Sequence, residues 1–179
     1  MILFIPFSPD LDRTRFRCGN DALDTWLRDQ AGQQERRNNA RTTFGVDEKH
    51  VRIASYFTLV SHSIGLSEFD DSSLVGRRYP LPAILLARFA VDIEYQGQGI
   101  GACTLVEALK RVDSLSKDLG FEVLVVDAAD ANARGFYRRH GFSDLTADGM
   151  RLYLATRDLR ASFADVEEDV PPTGQPTGD

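Results

Sequence analysis

The residues best suited to chemistry form one short run, Gln96-Gly97-Gln98-Gly99-Ile100-Gly101. It follows Ile84 to Val91, a nearly unbroken apolar stretch of the kind that forms a strand buried on both faces. Glycines at alternate positions let a backbone take positive φ and approach another group closely. A helical pattern opens directly after them, so the N–H groups of the turn and of the first helical turn converge on one point. Such a point is a ready site for a pyrophosphate. Two common nucleotide loops do not fit. The Rossmann fingerprint has a different glycine spacing, and Ala102-Cys103 stand where a P-loop needs Lys and Ser or Thr. Nearby candidates for a general base are Asp92 and Glu94, with His140 as the nearest imidazole. The plainer readings are a turn or cap for Asp92, an exposed loop acid for Glu94 and a helix C-terminal partner for His140. His50 and His62 lack metal-ligand neighbours, and no metal site is read.

The elements around this loop follow from periodicity. Residues 2–7 alternate as a first strand. Asn20 is suited to cap a helix whose Leu23, Trp26, Leu27 and Ala31 share one face. After Ala31 the pattern turns polar and basic. Strands are expected near 42–46 and 51–61, with a turn at 47–49, and a long polar connection covers 63–79. Past the glycine loop, Leu105, Ala108, Leu109, Val112, Leu115 and Leu119 give a helix over 100–119, with Gly120 suited to its C-terminus. A strand over 121–126, a helix over 131–140 stopped by Gly141, and a closing strand over 150–155 complete the order. Alternation of apolar strands with helices implies an α/β fold whose sheet is parallel in its centre.

A length of 179 residues suits a single domain, and 42% hydrophobic with 27% charged residues is ordinary for a globular protein. No apolar run approaches a membrane span, and residues 1–7 lack the basic start of a signal peptide. With only Cys18 and Cys103 there is no disulfide framework, and a reducing cytoplasm is the simplest setting. The formal charge of −6 includes five acids and no base in residues 161–179, so residues 1–160 carry only −1. The division is therefore one domain over 1–160 and an acidic, disordered tail over 161–179. That tail is either plainly solvated or screens a basic surface until a partner displaces it.

The glycine run resembles the acetyl-CoA motif of the GNAT N-acetyltransferases, Q/R-x-x-G-x-G/A. The segment Asn132-Ala133-Arg134-Gly135-Phe136-Tyr137-Arg138-Arg139-His140-Gly141-Phe142 resembles the same superfamily's N/A-x-x-A-x-x-F-Y-x-x-x-G-F element. The resemblance implies a GNAT fold: a strongly twisted mixed sheet whose central parallel strands splay apart, flanked by helices. It implies acetyl-CoA in the gap, with Phe89, Ala90 and Val91 along the pantetheine arm. By the same resemblance, Gln96, Gly97, Gln98, Gly99, Ile100 and Gly101 lie on the pyrophosphate, and Asn132 and Phe136 touch the cofactor from the other side. Tyr137 would then be the general acid for the leaving thiolate, its alternative being a core aromatic beside Phe136.

A wider similarity covers roughly residues 10 to 155, through F-R-C-G-N-D-A-L-D-T-W-L (16–27), R-T-T-F (41–44), P-A-I-L-L-A-R-F-A-V-D (82–92) and V-V-D-A-A-D (125–130). These resemble the TacT-like toxins of type II toxin–antitoxin systems. That likeness implies acetylation of the α-amine of aminoacyl-tRNA, neutralisation by a ribbon-helix-helix antitoxin, and a homodimer. An α-amine with pKa near 8 reduces the need for a base. Arg36, Arg37, Arg41, Arg77 and Arg78, with Arg28, Arg134, Arg138 and Arg139, could form a phosphate-binding rim, or be scattered surface charge among the interspersed acids. The alternative function is acetylation of a small-molecule or protein amine. A silent CoA-binding module is opposed by Tyr137 and the intact glycine loop.

Overall fold

The structure is a computed structural model, and it describes residues 1–49, 51–65, 68 and 79–167. Seven strands make one sheet in the order β1-β2-β3-β4-β5-β7-β6. They are β1 (Ile2–Pro6), β2 (Arg41–Asp47), β3 (Arg52–Ile64), β4 (Leu81–Val91), β5 (Val123–Asp127), β6 (Ser143–Asp144) and β7 (Arg151–Ala155). Among the described residues only the β4–β5 pair is parallel, and it lies in the centre as expected. The short β6 was not legible in the sequence.

Five helices cover the sheet: α1 (Asp21–Thr25), α2 (Ala31–Arg36), α3 (Ile100–Leu115), α4 (Ala131–Arg139) and α5 (Thr156–Glu167). One face packs α3 and α5 over Phe57, Leu86, Leu124 and Leu152, with Leu105, Ala108 and Val112 forming the buried stripe of α3. The other face packs α1 and α2 over Phe44, Ile53, Tyr56 and Ala90. Thr104 Oγ1 donates to Ser55 Oγ at 2.8 Å inside the protein, fixing α3 on β3 just beyond the glycine loop.

β3 runs on to Ile64, into the expected connection, and β5 begins only at Val123; three helix boundaries also differ from the sequence expectation. The helix expected over 21–31 is interrupted by a π-helical turn at Trp26–Gln30 and then continues as α2 to Arg36. Asn20 does cap it, accepting from Ala22 N and Leu23 N. The helix expected to end at Gly120 ends at Leu115. Ser116 Oγ there takes Asp113 O at 2.7 Å, since a serine side chain competes for backbone groups. The C-terminal helix α5 reaches Glu167, into the segment read as tail, because Leu159 is buried and Phe163 packs against the same core one turn later. Residues 168–179 lie outside the described residues, as does most of the 63–79 connection.

Candidate active site

The cleft begins where two strands part. β4 and β5 pair only from Ala83–Leu86 to Val123–Val126. On the other side of β4, Leu59 lies opposite Leu86 and Thr58 opposite Arg88, leaving Ala87 as an extra residue. Such a bulge bends and twists a strand, and it sits at the point of parting. Asp92 N donates to Ala54 O at 2.9 Å, so antiparallel alternation turns the amides of Ala90 and Arg88 toward β3 as well. The N–H and C=O groups of Phe89 and Val91 are thereby left facing the gap. The resulting cleft holds about 1410 Å³.

The glycine loop closes one end. Gly97 and Gly99 have φ of 73° and 79°, a region that L side chains rarely adopt. A Cβ at either would meet nothing within 4 Å, so both glycines leave open space on the loop. Gly99 is the N-cap of α3 and brings no side chain to it, and α3 has no acid in its first turn. The first amides of this sixteen-residue helix therefore receive no capping side chain and no acid from the helix's own first turn. Gly101 serves packing instead: its Cβ position lies 3.7 Å from Val91 and 3.9 Å from Phe136. Gln96 lines the cleft, and its side-chain amide donates to Cys18 O (3.0 Å) and Val91 O (2.9 Å). Gln98 turns away, its side chain donating to Glu94 O.

The opposite wall is α4. Asp130 caps it by accepting from Ala133 N at 2.8 Å, and Asn132, Phe136 and Tyr137 line the cleft. Phe89, Phe136 and Tyr137 form an aromatic triad with ring centroids 5.4 to 6.1 Å apart. Tyr137 is 5% exposed, and this burial holds its phenol above the ordinary tyrosine range. His140 Nδ1 bonds Phe136 O at 2.8 Å, a helix-terminal role as expected. Asp92 is fully buried and caps the turn after β4, whereas Glu94 is exposed and paired with Arg52 at 2.5 Å. Neither lines the cleft.

A third wall escaped the sequence reading. Arg88 points to the opposite sheet face from Phe89, and its guanidinium lies 5.3 Å over the Trp26 ring. Trp26 stacks on Tyr56 with an interplanar angle of 10°, and Tyr56 Oη donates to Leu23 O at 3.0 Å. Leu23, Trp26 and Arg88 all line the cleft. Cys18 lies beside them with its thiol pushed up to about 12, first by burial and then by its bond with Asp24, so it is no nucleophile. The available signal was Arg88 itself, a lone cation inside an apolar strand.

The predicted basic rim is placed differently from the cleft. Arg36 and Arg37 are exposed at the end of α2, and neither they nor Arg41 line the cleft. Arg41 pairs with Glu35 at 3.1 Å and bonds Asn38. Arg134 and Arg138 share Asp144, and Arg28 pairs with Asp29. Arg77, Arg78 and His50 lie outside the described residues.

A profile of the acetyltransferase (GNAT) domain matches residues 59–144. The tRNA-acetylating toxin of Mycobacterium tuberculosis is 30% identical over 154 residues, which span 86% of this chain and 92% of the relative. A structure of AtaT complexed with acetyl-methionyl-tRNAfMet superposes with a TM-score of 0.81 at 26% identity, covering 91% of this chain and 99% of that one. A tyrosine-to-phenylalanine mutant of the AtaT toxin, bound to the C-terminus of the antitoxin AtaR and to acetyl-CoA, gives 0.76 at 26% identity over 90% of this chain and 98% of that one.

Proposed function

This chain belongs to the GNAT acetyltransferases, the family of the tRNA-acetylating toxins, and we propose that it acetylates the α-amine of aminoacyl-tRNA with acetyl-CoA and so blocks translation. The observation that carries the reading is a single cleft with distinct donor and acceptor walls. One is built of free backbone amides and an aromatic triad, the other of Arg88 over Trp26.

The donor side fits acetyl-CoA on its own geometry. Uncapped amides of Gly99 to Gly101, with no Cβ over Gly97 or Gly99, suit a pyrophosphate. The N–H and C=O of Phe89 and the N–H of Val91 suit the amides of a pantetheine arm, Val91 O being taken by the Gln96 amide and Ala90 being bonded back to β3 between them. Gln98, Gly99 and Ile100 stand in the loop but outside the cleft lining, which takes Gln96, Gly97 and Gly101 from it, and Asn132 and Phe136 close the far side. When bound, acetyl-CoA supplies a thioester carbonyl open to amine attack and a thiolate leaving group. The chain's own part is to hold N–H groups of the splayed strand toward developing oxyanion charge and a protonated phenol, Tyr137 Oη, toward the sulfur. An amine that is already neutral requires no base to become a nucleophile. The proton it sheds on forming the amide passes to solvent, which also restores the proton that Tyr137 gives to the sulfur, in keeping with the absence of Asp92 and Glu94 from the cleft lining.

Arg88 is the cation of the acceptor wall, and we assign it to the terminal phosphodiester of the incoming strand. Arg88→Ala is expected to lower kcat/KM for aminoacyl-tRNA about tenfold, mostly through KM, as for loss of a charge-assisted hydrogen bond. An unchanged KM in steady-state kinetics would remove Arg88 from this role. Arg36 and Arg37, exposed beyond the cleft, suit more distant phosphates, with Arg41, Arg77 and Arg78 as further candidates.

Acetyl-CoA at a hundred times its Kd is expected to stabilise the fold by about 2.7 kcal/mol. For a domain of this size that is a rise in melting temperature of roughly 5–10 °C, readable by scanning fluorimetry. The relationship to AtaT supports an antitoxin partner, read from the sequence as a ribbon-helix-helix protein, and a homodimer is proposed with it. Among the described residues no helix is long and apolar enough to cross a membrane, and the cytoplasm, where charged tRNA is made, is the proposed compartment.

The deciding experiment offers acetyl-CoA labelled in the acetyl group to a pool of charged tRNA, with the Tyr137→Phe protein as control. Label on the aminoacyl end supports the proposal. Label confined to small amines or protein, with acetyl-CoA still bound, overturns it.

A further inference from the structure

Asp92 is a carboxylate with no exposure to solvent, at the end of the strand that leads into the glycine loop. A charge so placed persists only when fully bonded. Its Oδ2 accepts from Arg17 N at 3.0 Å and its Oδ1 from Glu94 N at 3.0 Å, while Arg52 Nη2 reaches both oxygens at 3.2 and 3.1 Å. Ile93 N returns a bond to Arg17 O at 2.7 Å. One residue beyond Arg17 and three beyond Ile93, Cys18 O takes one amide hydrogen of Gln96, whose other hydrogen goes to Val91 O. On its far side the same segment is tied to the acceptor wall, since Cys18 N donates to the buried Asp24 Oδ1 at 2.9 Å. Asp24 is on α1, one residue from Leu23 and two from Trp26.

We infer that Asp92 and Gln96 are positioning residues that lace the cofactor loop to segment 17–19, so that the donor and acceptor walls of the cleft are set as one unit. Neither side chain faces the reacting atoms. Asp92 is buried behind the loop, and the Gln96 amide is spent on two carbonyls. When the loop closes on a pyrophosphate, the backbone of Arg17 and Cys18 is held with it, and through Asp24 so is the start of α1. Acetyl-CoA thereby orders the wall that receives the acceptor, and the two ligands favour each other's binding by the same factor. The inference takes from the acetyltransferase reading only the identity of the cofactor.

The test is amide hydrogen exchange on the full chain with and without acetyl-CoA, a measurement that needs no acceptor. In the wild-type protein acetyl-CoA is expected to slow exchange both in residues 97–103 and in residues 16–24. In Gln96→Ala, a change at an exposed residue that leaves the fold intact, protection of 97–103 should remain while that of 16–24 is lost. Asp92→Asn keeps the size of the side chain but removes its charge. It should show the same loss, with Kd for acetyl-CoA weakened about tenfold by calorimetry and kcat at saturation changed less than threefold. A purely structural Asp92 would lower the melting temperature without separating the two protected regions. Protection of 16–24 that is absent in the wild type, or that survives in Gln96→Ala, overturns the inference. Absence of acetyl-CoA binding altogether would instead strike at the acetyltransferase reading.

Discussion

Replacing Tyr137 by phenylalanine is expected to reduce kcat by about 10²- to 10⁴-fold, the range of a lost general acid, with Kd for acetyl-CoA nearly unchanged. The substitution removes one oxygen from a ring held by Phe89, Phe136 and Phe142, so the fold and the cofactor's contacts should survive it. The pH dependence separates this role from others. Burial raises the Tyr137 pKa, so the phenol keeps its proton to a higher pH than the ordinary value of about 10. No alkaline fall in kcat from this group is therefore expected below about pH 10, while kcat/KM should rise as the acceptor amine deprotonates near pH 8. In Tyr137→Phe that rise should keep its midpoint at a much lower rate. A variant with more than a third of the wild-type kcat would show that another group, or water, protonates the sulfur.

Trp26→Ala carries the largest expected cost in stability, about 3–5 kcal/mol, measurable by urea denaturation with the slope unchanged. The indole is 8% exposed, stacks on Tyr56 and carries the Arg88 guanidinium over its ring. Its loss leaves a cavity beside Phe16, Leu27 and Tyr56 and removes the platform on which Arg88 rests. Stability and acceptor binding should therefore fall together, and the same rise in KM for aminoacyl-tRNA should appear as in Arg88→Ala. Trp26→Phe should recover part of the stability without recovering the full Arg88 contact, since the smaller ring attracts a cation less. A loss below about 1 kcal/mol in Trp26→Ala would show that the π-helical turn repacks without it.

Much of the donor half was written in local sequence. Gly97 and Gly99 adopt the positive φ that their spacing announced, and Asn20 caps the helix it precedes. Apolar periodicity located α3, and Gly141, with φ of 90°, follows the end of α4 as read. These are properties of neighbouring residues, set by backbone sterics and by the spacing of side chains along one helix or strand. The pair Phe136 and Tyr137 was identified instead by resemblance to the GNAT element, and both fall on one short helix.

The acceptor half was not legible, because it is made by residues far apart in the chain. Nothing local to Arg88 says that it will lie over Trp26, sixty-two positions earlier, or that Ala87 will be bulged out where β4 leaves β5. Asp92 read as a simple cap, yet it also holds the backbone of Arg17 and the guanidinium of Arg52. Conversely, Arg41 and Arg134 read either as part of a phosphate-binding rim or as scattered surface charge, and the fold gave them Glu35 and Asp144. The sequence by itself determined the order of elements, the anion-binding turn and the aromatic pair. Which charges are spent on neighbours and which are left to face the cleft was decided only by the sheet, since a charge is quenched or exposed by whatever the tertiary fold brings within a few ångströms of it.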